Sequence, residues 1–387
     1  MKEYARHDLA LRTALIGFLG LASAMGIGRF AFTPLLPLMQ VHDSVSLRQG
    51  GYLASANYVG YLLGALVCFA LDLRPARAAK LGLAAVALST LAMAFSSSFV
   101  AWLVLRLIAG VASAFVLVGV SAWALATLAA YQRSTWSGWV FAGVGAGILF
   151  AGLAVLLIGI VGLAPAYGWL LLGGVASLVA LFAAHSIADT TPPAETPQTA
   201  APNVLDRTAW RLIICYGAFG FGYIVPATFL PVAARAIVDN PAVFGWTWPV
   251  FGLAAASSTL VAASVPRNLR PRRSWAFGQV IMAAGVALPA IRMNLPSIII
   301  SAVCVGGTFM VITMAGMQEA RRVGGQSASR LMAAMTAAFA IGQLAGPLMV
   351  AAADSAAEAI RGPSLLAAAS LFLAALALLG GREPTSQ

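Results

Sequence analysis

Charge is scarce in this chain. Only 9% of its 387 residues are Asp, Glu, Lys or Arg, while 61% are hydrophobic and the mean hydropathy is +0.90. A soluble domain carries roughly 25% charged residues, so a water-soluble globule is excluded. Cysteine is equally sparse. Cys68, Cys215 and Cys304 all fall inside apolar runs, which excludes a disulfide framework and fits small packing residues. There is no P-loop, dinucleotide fingerprint, metal-ligand cluster or nucleophile elbow. The connecting segments are too short to fold a catalytic domain. We therefore expect neither an enzyme nor a bound metal or cofactor.

Carboxylates are absent from one place in particular. All twelve fall in loops, tails or span ends: Glu3, Asp8, Asp43, Asp72, Asp189, Glu195, Asp206, Asp239, Glu319, Asp354, Glu358 and Glu383. The net charge of +11 does not signal nucleic-acid binding, because the basic residues sit in short loops between apolar runs rather than on one face.

What is present in abundance is apolar sequence of membrane-spanning length, about 20 residues per span. Hydropathy and breaker residues predict twelve spans: 11–39, 49–70, 79–96, 99–129, 136–160 and 167–187, then 209–233, 244–264, 274–292, 296–317, 331–352 and 363–380. Between the sixth and seventh lies Thr190 to Asn203, with Pro192, Pro193, Pro197 and Pro202 among polar filler. This reads as a linker. The predicted division is a first six-helix bundle at 1–188, a cytoplasmic linker at 189–207 and a second six-helix bundle at 208–387.

The halves share a motif. Gly26-Ile-Gly28-Arg29-Phe30-Ala31-Phe32-Thr33-Pro34-Leu35-Leu36-Pro37 aligns without a gap, 194 positions on, with Gly220-Phe-Gly222-Tyr223-Ile-Val-Pro226-Ala-Thr-Phe229-Leu230-Pro231. Duplicated halves that open on a Gly/Pro-interrupted apolar helix mark a secondary transporter. The basic N-terminus and Leu21-Ala-Ser-Ala24 resemble a signal peptide, but the internal copy assigns this segment to the fold. The predicted spans place 17 of the 23 basic residues on one side and four on the other, with Arg29 and Arg106 inside spans. That asymmetry predicts both termini in the cytoplasm of a multi-pass protein of the bacterial inner membrane.

Gly26-Ile-Gly-Arg-Phe-Ala-Phe-Thr-Pro-Leu-Leu-Pro-Leu-Met39, together with Gly342-Gln343 and Gly346-Pro347, resembles the YbfB/YjiJ-type transporters of the major facilitator superfamily. The resemblance covers essentially the whole chain. It implies an all-α fold of twelve transmembrane helices in two pseudo-symmetric bundles. Asp72-Leu-Arg74-Pro75-Ala-Arg77-Ala-Ala-Lys80 is similar to the superfamily's loop between helices two and three, without its glycine. Asp72 there implies a cytoplasmic latch or a solvated anchor. Arg106-Leu-Ile-Ala-Gly110 is similar to the helix-four motif linked to proton coupling. Gly143-Val-Gly145-Ala-Gly147-Ile148 resembles the helix-five motif of antiporters, with Ile148 where proline is expected. Efflux is thereby favoured over import. Gly26, Gly28, Pro34, Gly143 and Gly147 are read as positions where helices bend or slide.

A cation at the bilayer centre costs about 3 kcal/mol on insertion scales, so something must stabilise Arg29. Helical spacing puts Gly26, Arg29, Thr33 and Pro37 on one face. Two readings of Arg29 stand: a ligand for a carboxylate or phosphate, or a structural donor to a neighbouring helix. With no mid-span acid to neutralise it, the missing counter-ion is read as the substrate. Arg29, Thr33, Asn57, Tyr61, Tyr223 and Gln343 are the expected substrate contacts, with Gln318 also facing the cavity. Arg106 is expected to couple or stabilise. Glu319 is the nearest candidate proton carrier, or else a partner for Arg321 or Arg322. Trp246, Trp248 and Trp275 are expected at the membrane interface. The expected activity is proton-coupled transport of a small organic anion by a monomer. The alternatives are export of neutral solutes such as sugars or hydrophobic drugs, and a non-transporting membrane sensor.

Overall fold

The computed structural model describes residues 2–71, 73–187, 206–235, 246–264, 270–351 and 356–380. Asp72 and most of the predicted linker lie outside them. Among the described residues twelve helices succeed one another. Helix one runs Lys2–Leu21, continues as a π-helix Ala22–Arg29, breaks at Phe30 and Ala31, and resumes as Phe32–His42. Helices two to six are Leu47–Leu71, Pro75–Ala92, Phe99–Ala130, Ser137–Val161 and Pro165–Ser186. Helices seven to twelve are Arg207–Arg235, Thr247–Ser264, Pro271–Ile291, Leu295–Gly324, Ala328–Ala351 and Ala356–Leu379. The predicted spans each find their helix. The largest differences are extra turns at the start of helices one and twelve and at the end of helix ten, which outrun the apolar stretch.

The helix boundaries obey local chemistry. Pro75, Pro165 and Pro271 sit at the first turns of helices three, six and nine, where a missing N–H costs nothing. Ser98 accepts from Ala101 N at 3.4 Å and Asn294 from Ser297 N at 2.9 Å, capping helices four and ten. Gly162 closes helix five at φ +75°, a left-handed conformation that glycine adopts without strain.

The packing repeats between halves. Helix one packs on helix five, two on four, three on four, and three on six. Seven packs on eleven, eight on ten, nine on ten, and nine on twelve. The halves meet along helix five against eight and helix two against eleven. The outer surface is apolar, with Leu88 and Leu178 each 69% exposed, as lipid contact requires. This is an all-α polytopic membrane protein made of two pseudo-symmetric six-helix bundles.

Glycines set the closest approaches. A Cβ on Gly143 would collide with the Phe18 carbonyl, and one on Gly147 with the Ala22 carbonyl. Both therefore press helix five onto helix one. Gly145, between them, faces the other way, and a Cβ there would meet Ala256 N in helix eight. The repeated glycines are explained the same way: Gly26 abuts Gly147 of helix five, and Gly220 abuts the Phe339 carbonyl of helix eleven.

Two expectations are corrected. Thr33 does not share the environment of Arg29: it is exposed, whereas Arg29 is buried. The π-helix takes more residues per turn than an α-helix, and the break at Phe30 and Ala31 re-phases the rest of helix one. Phe32, Leu35 and Met39 are buried after the break. Trp248 and Trp275 are buried, not interfacial. Each packs against other rings of the second half, Trp248 on Phe251 and Trp275 on Tyr216. Only Trp246 of the three is exposed.

Candidate functional site at the junction of the halves

The π-helix and the break after it place Arg29 where the two halves meet. Helix one changes its hydrogen-bond pattern here. Phe30 N bonds Met25 O at 3.1 Å, five residues back, while Thr33 N bonds Phe30 O at 3.2 Å, three back. Pro34 lacks an N–H, and the carbonyls of Gly28 and Arg29 become available to other partners.

Arg106 of helix four takes both. Its Nη1 donates to the Gly28 carbonyl at 3.0 Å and its Nη2 to the Arg29 carbonyl at 3.2 Å. Its guanidinium lies 4.7 Å from the Phe32 ring centroid. Asn57 of helix two donates from Nδ2 to the Arg106 carbonyl at 3.0 Å. The hydroxyl of Ser113 lies 3.0 Å from the Ala24 carbonyl, further back along the same π segment. Helices two and four thus brace the irregular backbone of helix one.

Arg29 points the opposite way, into the second half. Its Nη2 donates to Oε1 of Gln343 in helix eleven. The guanidinium carbon lies 3.7 Å from the Tyr61 ring centroid and 5.6 Å from that of Tyr58. A desolvated cation–π contact of this kind contributes about 2 kcal/mol. The Nε and Nη1 of Arg29 have no hydrogen-bond partner, and neither do Asn57 Oδ1, Tyr61 OH, Tyr223 OH and Gln343 Nε2. Among the described residues no carboxylate pairs with Arg29 or Arg106.

Tyr223, which replaces Arg29 in the repeat, lies across the junction. Its ring stacks on Phe309 at 4.2 Å and 15°, and Phe30 approaches it at 6.5 Å. Phe219, Phe251 and Phe339 complete this aromatic wall. Composition and spacing did not single these phenylalanines out. The available signal was that Tyr223 occupies the position of Arg29, so its neighbours in the second half had to face the same junction.

The structure therefore brings together Arg29, Asn57, Tyr61, Tyr223 and Gln343, and leaves Thr33 outside. Gln318 also lies elsewhere: its Nε2 donates to Ser137 Oγ at 2.6 Å, joining helix ten to helix five. Glu319 is fully buried and accepts two bonds from Arg322, at 2.9 Å from Nε and 2.7 Å from Nη2. It stands beyond the Arg29 cluster, at the end of helix ten that carries Ser137's partner. Among the described residues no group of His, Cys, Asp and Glu side chains could hold a metal ion.

Comparison with known proteins gives three findings. Residues 21–379 match the family described as "Uncharacterised MFS-type transporter YbfB". A stretch of 101 residues is 35% identical to the "Uncharacterized MFS-type transporter YceJ" of Bacillus subtilis (strain 168), and spans 26% of each chain. The crystal structure of the human organic anion transporter MFSD10 (TETRAN) superposes with a TM-score of 0.71 at 16% identity, over 95% of this chain and 99% of that one. At that identity the likeness is one of fold.

Proposed function

Because the chain belongs to the YbfB-type family of major facilitator transporters, we propose that it moves a small organic anion across the bacterial inner membrane by alternating access. The bundles 1–188 and 208–387, joined by 189–207, rock about the junction that Arg29 and Gln343 bridge. One chain carries both halves and works as a monomer, with both termini in the cytoplasm and energy drawn from the proton gradient. One observation carries the substrate class: a buried guanidinium between the halves, with two of its nitrogens unpartnered and, among the described residues, no acid to neutralise it. A carboxylate on the substrate supplies the missing charge and accepts hydrogen bonds from one edge of the guanidinium.

The Gln343 bond and the Tyr61 stack favour one rival, in which Arg29 is a clamp between the halves and the cargo is neutral. Flux in proteoliposomes separates the two. Arg29→Gln, folded as judged by its thermal unfolding, loses transport of organic anions on the first reading. On the rival reading it either misfolds or carries neutral cargo unchanged. A reporter enzyme fused to the C-terminus tests the topology, and activity on the outer side would overturn it.

A further inference from the structure

The junction has unlike walls, and this determines more than the sign of the cargo. The first half contributes a polar face: Arg29, Asn57 and Tyr61, each buried and each with an unpartnered polar atom. The second half contributes rings: Tyr223, Phe309, Phe251 and Trp248 lie within 6.5 Å of one another or of Phe30, centroid to centroid. Phe30, next in sequence to Arg29, crosses the junction and meets Tyr223, Trp248 and Phe309 edge-on. The two chemistries are thus adjacent, one residue apart on the first half and face to face across the junction.

The available charge is also limited. Of the two buried arginines at this junction, Arg106 has both Nη groups committed to the carbonyls of Gly28 and Arg29, which leaves its Nε alone unpartnered. Arg29 has both its Nε and its Nη1 without a partner. Its Nη2 belongs to both edges of the planar guanidinium, and it is held by the amide oxygen of Gln343. A carboxylate binding in two-point fashion takes the place of that amide oxygen. One cation can neutralise one negative charge; a second charge on the ligand would be buried without a partner, which is costly.

We propose, building on the anion reading above, that the substrates are monocarboxylates with an aromatic or comparably flat apolar body. The carboxylate lies on Arg29 in place of Gln343, and the body lies against Tyr223, Phe309 and Trp248 by offset or edge-on ring packing. Dicarboxylates, phosphate esters and short aliphatic acids are poor ligands.

The test is thermal stabilisation of the purified full chain in detergent, titrated with phenylacetate, acetate, succinate, inorganic phosphate and the neutral analogue phenylacetamide. Each is run on the wild type, Arg29→Gln and Trp248→Leu. Phenylacetate is expected to act at concentrations about ten-fold below acetate, reflecting burial of the ring. That effect is lost in Arg29→Gln, and the margin over acetate shrinks in Trp248→Leu. If succinate or phosphate matches phenylacetate and depends on Arg29, the monocarboxylate class is overturned while the anion reading survives. If no anion stabilises the protein through Arg29, or phenylacetamide equals phenylacetate, both fall. The rank order on the wild type decides the class even if a variant does not fold.

Discussion

Arg106 in helix four donates to the Gly28 carbonyl in helix one at 3.0 Å. This contact separates the work of Arg106 from that of Arg29. Arg106 satisfies backbone that a π-helix and a helix break leave without intrahelical partners, and it acts within the first half. Arg29 is held by that backbone and acts between the halves.

Removing Arg106 therefore damages the fold first. Arg106→Ala leaves two buried carbonyls unsatisfied, at about 1–3 kcal/mol each. We expect a lowered unfolding temperature in detergent and a poor yield of folded protein. A normal melting curve for this variant would show that the braced backbone finds other donors.

Tyr61 tests the cation–π contact apart from the hydroxyl. Tyr61→Phe keeps the ring 3.7 Å from Arg29 and is expected to melt like the wild type while binding anions several-fold more weakly. Tyr61→Leu removes the ring and is expected to lose about 1–2 kcal/mol of stability as well. Equal anion affinity in Tyr61→Phe and wild type would exclude the hydroxyl from the site.

Glu319 distinguishes an ion pair from a proton relay. Its two bonds to Arg322 lead us to expect that Glu319→Gln lowers stability by roughly 1–3 kcal/mol and leaves the shape of the pH profile of transport unchanged. A flattened profile in a variant that still binds substrate would assign Glu319 to proton coupling instead.

Gly145 governs how closely the halves approach. A side chain there would meet the backbone of Ala256 in helix eight. Gly145→Leu is expected to keep each bundle folded but to abolish flux, with cysteine cross-linking between helices five and eight lost. Gly143→Leu, directed at helix one within the same bundle, is expected to cost stability instead, by about 1–3 kcal/mol or more. Identical behaviour of the two variants would refute the division of labour along helix five.

Much of the architecture was legible in the sequence, for a physical reason. Membrane thickness fixes span length, and that is a local quantity. The duplicated glycines were legible as a repeat, though their purpose, close approach at two equivalent crossings, required the partners to be seen. Arg29, Asn57, Tyr61, Tyr223 and Gln343 were named as polar residues inside apolar spans, from helical spacing and the repeat, and lie close together in the structure. Thr33 was misplaced because a regular helical period was carried through Ala22–Arg29, and nothing local distinguishes a π-helix there. Trp248 and Trp275 were assigned to the interface by their nearness to span ends, yet tertiary contacts turn both inward. Gln318 found a partner 181 positions away, a choice no local pattern encodes.

The replacement of Arg29 by Tyr223 at equivalent positions of the repeat bears on how cargo travels. Two identical halves would offer a passenger two equal berths and no preferred heading. On the anion reading proposed above, with the cation on one bundle only, a carboxylate would stay anchored to the same partner throughout the cycle. On that reading the molecule would cross without tumbling, with the second bundle swinging past it like a door past its frame.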